Sequence, residues 1–170
     1  MSEDQRVEPA ASRPSMPSQY GILSSAEGQG LLPWSWATER LARSPGYWLA
    51  TTRPDSRPHM AVVWGVWLHD TFYFFTSKES RKARNLAANS RCVVCPEHTD
   101  EAVIVEGVAE EVTDSTVRRQ FQDAYAAKYH EEVDTDKFSI YALHPDVAFG
   151  AISDPVAWPG SATRWRFRDI

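Results

Sequence analysis

A chain of 170 residues with 23 acidic and 18 basic side chains, net charge −5, suits one domain of the usual ~100–200 residues. It lacks the basic surplus that nucleic acid or an anionic membrane surface selects. No run approaches the ~18 apolar residues of a membrane span, no charged-then-apolar leader opens the sequence, and two cysteines make no disulfide framework, so a cytoplasmic protein is expected.

Residues 1–30 contain Pro9, Pro14 and Pro17 and little apolar periodicity. They are expected to form a mobile arm, with wrapping of a partner subunit as the alternative. Residues 31–170 are expected to form a single domain. Pro33 to Arg43 predicts a short helix, with Pro in the first turn and Trp36, Arg40 and Leu41 at helical spacing. Ser44-Pro45-Gly46 stops it. Tyr47–Thr52, Pro58–Leu68 and Thr71–Thr76 follow as a β-meander, turning at Arg53–Ser56 and at His69-Asp70.

Glu79–Ala88 breaks the pattern and predicts a short helix. Thr76 and Glu79 have capping-box spacing, and Asn89 suits a left-handed C-cap. Strands resume at Arg91–Cys95 and Ala102–Val112. Asp114 then caps a helix with Val117, Phe121, Tyr125 and Tyr129 on one face. After Pro145, Val147–Ile152 and Thr163–Phe167 close the set. Six or seven strands with short helices at the connections predict a mainly β, α+β fold, a small antiparallel barrel. Seven tryptophans suit its core or a pocket for a flat ligand. Trp48, Trp64 and Trp67 are read as core, with Trp64 nearest any ligand.

The chemical signal is Ser77-Lys78-Glu79-Ser80-Arg81-Lys82-Ala83-Arg84-Asn85-Leu86. Two of the four lysines fall here, with Arg81 and Arg84. The cluster sits at a strand-to-helix junction, where free N–H groups and the positive dipole end face outward. Basic residues in a first turn oppose the dipole, which makes sense if an anion lies between them. Ser80, Arg81 and Lys82 would then cradle a phosphate. A solvated helix face is the alternative.

Phe74-Phe75-Thr76 followed by Ser80-Arg81-Lys82-Ala83 resembles the phosphate-binding segment of the pyridoxamine 5′-phosphate oxidase-like family. The resemblance runs from Trp48–Thr52 through Arg57-Pro58-His59 to Val105–Ala109, and faintly to Ala162–Phe167. It implies the FMN-binding split β-barrel, a homodimer, and a cofactor phosphate held by Ser80, Arg81 and Lys82 with Thr76 behind them. Backbone of the second strand, at Val62, Val63 and Trp64, would approach the flavin ring. The Arg and Lys that true pyridoxamine phosphate oxidases carry on that strand are replaced by Ala61 and Val66, and their later Gln by Ala102. Vitamin-B6 oxidation is therefore not implied. The continuation to Asn85-Leu86 looks like the branch using the deazaflavin F420, so F420 or FMN is the expected cofactor. Arg84 and Lys78 would extend the basic track toward a longer anionic tail.

The resemblance implies an oxidoreductase passing hydride to or from a small conjugated substrate, with no catalytic side chain named. The alternatives are a non-catalytic binder of flavin, haem or tetrapyrrole, and a plain interaction domain. Cys92 and Cys95 lie on a strand, where three steps span ~10 Å and turn the side chains to opposite faces. They are read as packing residues. No histidine spacing predicts a metal site. His59 has two readings, substrate contact and surface position at a turn end.

Overall fold

The structure, a computed structural model, describes residues 8–24 and 29–167. Alternation of apolar and polar side chains sets the strands. In β2 (Tyr47–Thr52), Tyr47, Leu49 and Thr51 face inward and are buried, while Trp48 faces out. β3 (Pro58–Val63), β4 (Gly65–Leu68) and β5 (Thr71–Ser77) follow, the last two joined by His69 and Asp70, both at positive φ, as a tight hairpin. β6 (Arg91–Pro96), β7 (Glu101–Glu111), β8 (Phe138–Ile152) and β9 (Thr163–Arg166) complete the main sheet. The helices are α1 (Trp34–Arg43), α2 (Arg81–Ala88), α3 (Ser115–Tyr129) and the single turn α4 (Trp158–Ser161).

The pairing is antiparallel throughout and runs β9-β8-β7-β6-β2-β3, with β5 on the other half of β8 and β4 on β5. Two of the ends of this branched sheet, β3 and β4, are thus successive pieces of one run. They meet covalently at Trp64 and not through a ladder. This is a split barrel, antiparallel with short helices and an open seam.

That seam corrects the expectation of one strand over Pro58–Leu68. Gly65 makes the break: a Cβ there would lie 2.4 Å from the Tyr73 carbonyl oxygen and 2.5 Å from the Phe72 ring. β8 begins at Phe138, well before the expected Val147. Pro145 is accommodated inside it opposite Gly107, where the register shifts and a ladder N–H is not needed.

The expected domain boundary at residue 31 is crossed. Ala10–Ser12 forms β1 and pairs with Arg164–Arg166 of β9. Next to it the buried Arg13 guanidinium donates to the carbonyls of Gly160 (2.9 Å) and Gln29 (2.7 Å). A short 3-10 turn follows at Ser18–Tyr20. Residues 1–7 and 25–28 of the expected arm lie outside the described residues.

The barrel core is a ladder of aromatic rings. Tyr47, Phe72, Phe74 and Tyr141 follow one another at 4.5, 5.9 and 5.4 Å, the first pair tilted and the next two stacked. Trp34 of α1 closes one side against Trp67, Trp165 and Phe167. A second core lies where α3 packs Phe121 and Tyr125 over Val66, Ile140 and Ala142. Asp114 caps α3, accepting from the N–H groups of Thr116 and Val117 at 2.9 Å. The tryptophan assignment needs correction: Trp48 and Trp64 are 42% and 50% exposed, and Trp34 and Trp165 occupy the core instead. Strand parity is the reason, because Tyr47 and Leu49 take the inward places beside Trp48.

Candidate functional site

Helix α2 starts where β5 leaves the sheet. Its cap is Ser80, whose Oγ accepts from the Ala83 N–H at 3.1 Å. This replaces the expected Thr76–Glu79 capping box. Thr76 does contribute, since its buried hydroxyl donates to the Ser80 Oγ at 3.0 Å. With two donors received, the Ser80 hydroxyl keeps its own proton free to donate. At the other end Asn89 is extended (φ −149°), not left-handed. Ala83 and Leu86 anchor α2 in the barrel core, so the helix start is held rigidly at the end of β5.

Asn85 faces inward, 2% exposed. Its side-chain amide donates to Thr51 Oγ1 at 2.9 Å, and Thr51 Oγ1 lies 3.4 Å from His59 Nδ1. Thr51 and His59 are directly paired across β2 and β3. Having accepted from Asn85, the Thr51 hydroxyl can donate to Nδ1, which favours the tautomer with its proton on Nε2. Burial, then the positive charges of Arg81, Arg53 and Lys82, hold the His59 imidazole below its ordinary pKa. Those cations and His59 therefore share one neighbourhood. The sequence leaves substrate contact and a surface position both open for His59; the contact with Thr51 is made by sheet register.

Arg81 is exposed, whereas Lys82 is half-buried and burial lowers its amine. Among the described residues, Arg53, Arg81 and Lys82 form no ion pair with a carboxylate. The buried Nε of Arg53 has no hydrogen-bond partner. Arg81 and Lys82 free of ion pairs, a serine hydroxyl and a helix N-terminus make a chemical fit for an anionic group. The structure thus brings Thr76, Ser80, Arg81, Lys82 and Asn85 together, and adds Arg53, Thr51 and His59.

Val62, Val63 and Trp64 lie at the end of β3, at the seam. Val62 (42%) and Trp64 (50%) are exposed, while the Val63 side chain is buried in the core, so Val63 offers only backbone to a ligand. A groove of about 390 Å³ adjoins Thr51 and is lined also by Thr52, Pro58, Arg91, Val93 and Asp146. Cys92 and Cys95 are free; burial pushes the Cys92 thiol up to about 12 and raises Cys95 too, so both stay protonated. Among the described residues no cluster of His, Cys, Asp and Glu is placed to hold a metal, and no helix is long and apolar enough to cross a membrane.

Known proteins give a consistent picture. No curated protein matches the chain. Solved structures do. A protein described as an F420 reductase is 26% identical, with a TM-score of 0.51 over 65% of this chain and 94% of its own. HutZ, the haem storage protein from Vibrio cholerae, is 19% identical, with a TM-score of 0.56 over 64% and 87%. A haem-binding protein from Mycobacterium smegmatis is 20% identical, with a TM-score of 0.62 over 79% and 59%. At those identities the two haem proteins speak for the fold alone. The sequence model of the pyridoxamine 5′-phosphate oxidase family matches residues 37–151, which include the whole of β2 to β7 and the cradle at α2, and so the chain belongs to that family.

Proposed function

We propose that the protein is an oxidoreductase that binds F420 or FMN through the phosphate at the start of α2. One observation supports this reading: Ser80 is tied into its cap by Ala83 and Thr76, followed by Arg81 and Lys82, which form no ion pair among the described residues, and with His59 under the charge of Arg81, Arg53 and Lys82. Ser80, Arg81 and Lys82 hold the phosphate. Asn85 supports the site from behind by fixing Thr51, which orients His59. The ring lies along the backbone of Val62–Trp64, at the seam. When bound, such a cofactor supplies hydride transfer; the protein contributes binding, orientation and exclusion of water. The substrate is a small conjugated molecule, which the exposed Trp64 suits by stacking.

The second partner is another copy of the chain. Trp48 and Val62 are cross-strand neighbours on the outer sheet face, as are Ala50 and Met60. Together with Ile104, Trp48, Val62 and Met60 are 40–61% exposed, an apolar face that a homodimer would cover. Sedimentation of the wild type and of Trp48→Glu checks this: a dimer and a monomer are expected.

A non-catalytic haem or tetrapyrrole binder is the second reading. It draws support from the haem-binding names among the structural neighbours, and His59 is the imidazole beside the cations. Titration of the purified protein with FMN, F420 and haemin in parallel separates the readings. Saturable FMN or F420 binding, lost in Arg81→Ala/Lys82→Ala, is expected. Haemin binding alone, perturbed by His59→Ala, would replace the first reading with the second. Catalysis is then tested by bleaching the bound cofactor with reductant and following reoxidation by conjugated acceptors.

A further inference from the structure

Lys128 occupies the last turn of α3, far in sequence from the cradle. Its Nζ donates to the Tyr47 hydroxyl at 2.7 Å and to the Gly65 carbonyl at 3.1 Å. It lies 4.8 Å from the Tyr47 ring centroid and 5.1 Å from that of Tyr129. The Tyr47 hydroxyl in turn donates to the Leu41 carbonyl. Tyr129 grips the same glycine: its hydroxyl donates to the Gly65 carbonyl at 2.9 Å and accepts from the Gly65 N–H at 3.2 Å.

The charge has no partner of opposite sign. Among the described residues no carboxylate lies within 4 Å of Nζ. The titratable groups facing it are Tyr47 from β2 and Tyr129 from its own helix, with Tyr125 stacked on Tyr129 at 4.5 Å; β4 presents only backbone. Burial lowers the amine to about 8. An ammonium taken from water toward neutral acceptors costs stability, and a methionine would fill the space without that cost. Packing alone therefore does not account for a charge at this position. What it holds is the first residue beyond the seam. Gly65 opens β4 directly after the break, and its N–H and C=O are both held by the end of α3.

We propose that Lys128 is a positioning residue for the cofactor ring: by gripping the Gly65 carbonyl it fixes the backbone of Val62–Trp64 on which the ring rests. This rests on the reading that a flavin or deazaflavin ring lies there. Lys128 acts through Gly65, and the phosphate cradle is built from other elements. Its contribution therefore belongs to the ring and not to the phosphate. The protonated amine also makes the stronger, charge-assisted hydrogen bonds, so the grip loosens as pH passes through the range where the amine loses its proton.

The test compares FMN and F420, followed by fluorescence, with inorganic phosphate, followed by calorimetry. In Lys128→Met the two cofactors are expected to bind about tenfold more weakly, on the scale of one charge-assisted hydrogen bond, while phosphate affinity is unchanged. Lys128→Arg is expected to restore most of the loss. Wild-type FMN affinity should fall above about pH 8, where the phosphate is already fully ionised, and this fall should be absent in Lys128→Met. Should Lys128→Met fail to fold, Tyr129→Phe, which removes the other grip on Gly65, is expected to weaken the cofactors selectively in the same way. Unchanged cofactor affinity overturns the proposal, as does equal loss of cofactor and phosphate, which would mean a general structural role. If the wild type binds phosphate but neither cofactor, the functional reading fails and the proposal with it, whereas wild-type cofactor binding indifferent to Lys128 sinks the proposal alone.

Discussion

Replacing Ser80 by Asp separates the two jobs of that residue. Ser80 caps α2 and, on the proposed function, also faces the anion. Asp is as good an N-cap as Ser, and its charge suits a helix start, so fold stability should stay within ~0.5 kcal/mol. Its carboxylate can still accept from Ala83 N–H and from the Thr76 hydroxyl. The anion, however, meets a negative charge. For a phosphate of about −1.5 charge at ~5 Å and an effective dielectric near 30, repulsion is roughly 3 kcal/mol, about two orders of magnitude in affinity. Ser80→Ala behaves in the opposite way. It removes a cap, ~1 kcal/mol, and strands the buried Thr76 hydroxyl, ~1–2 kcal/mol, which lowers the melting temperature by roughly 5–10 °C in a domain of this size. The assay is a melting curve and an FMN or F420 titration on each variant. A Ser80→Asp protein that melts like the wild type and binds both cofactors within a few-fold of it refutes the cradle.

Arg81→Gln should raise the pKa of His59, because burial and three cations now depress it; NMR titration of the ring protons reads this directly. The sign for stability follows from linkage: the folded value lies below the unfolded one of ~6.5, so His59 favours the fold above that pH, and the contribution is lost as pH falls. Lys128 also has a depressed folded pKa, about 8 against ~10.5 unfolded, so stability should rise with pH between those values. Chemical denaturation at pH 7 and pH 10 should show a smaller rise for Lys128→Met than for the wild type. Gly65→Ala should cost about 1–3 kcal/mol or more, through overpacking against the Tyr73 carbonyl and the Phe72 ring; a denaturant midpoint equal to the wild type's would mean that the seam relaxes freely.

Local signals made much of this legible. The Asp114 cap, the aromatic face of α3 and the His69-Asp70 hairpin all follow from short-range chemistry, and with the strand runs they give a mainly β fold; the inward face of β2 is not among them, because the sequence reading puts Trp48 in the core. Ser80, Arg81 and Lys82 stand out because cations in a first turn run against the helix dipole. What stayed hidden depends on contacts distant in sequence. The break at Trp64-Gly65 is invisible in an unbroken apolar run, because Phe72 and Tyr73 impose it. Pro145 looks like a strand boundary until Gly107 is opposite. Thr51 and Arg53 join the cradle only through the β2–β3 register, which also decides between the two readings of His59. Arg13 looks like part of a polar arm, and only its carbonyl partners near α4 explain its burial.

The pairing of β1 with β9 has a practical side. Without Ala10–Ser12, the outer backbone of Thr163–Arg166 would be an open edge, and open edges recruit other chains. Three residues are enough to cover it, and being so short they make a poor template themselves. Arg13 bolts this cover to the turn before β9 by a bond to the Gly160 carbonyl and to the segment before α1 by a bond to the Gln29 carbonyl. A version trimmed to begin at residue 14 loses cover and bolt together. Its first symptom should be loss from the soluble fraction during expression rather than a change at the cradle, and anyone shortening this chain for crystallisation should cut before Pro9.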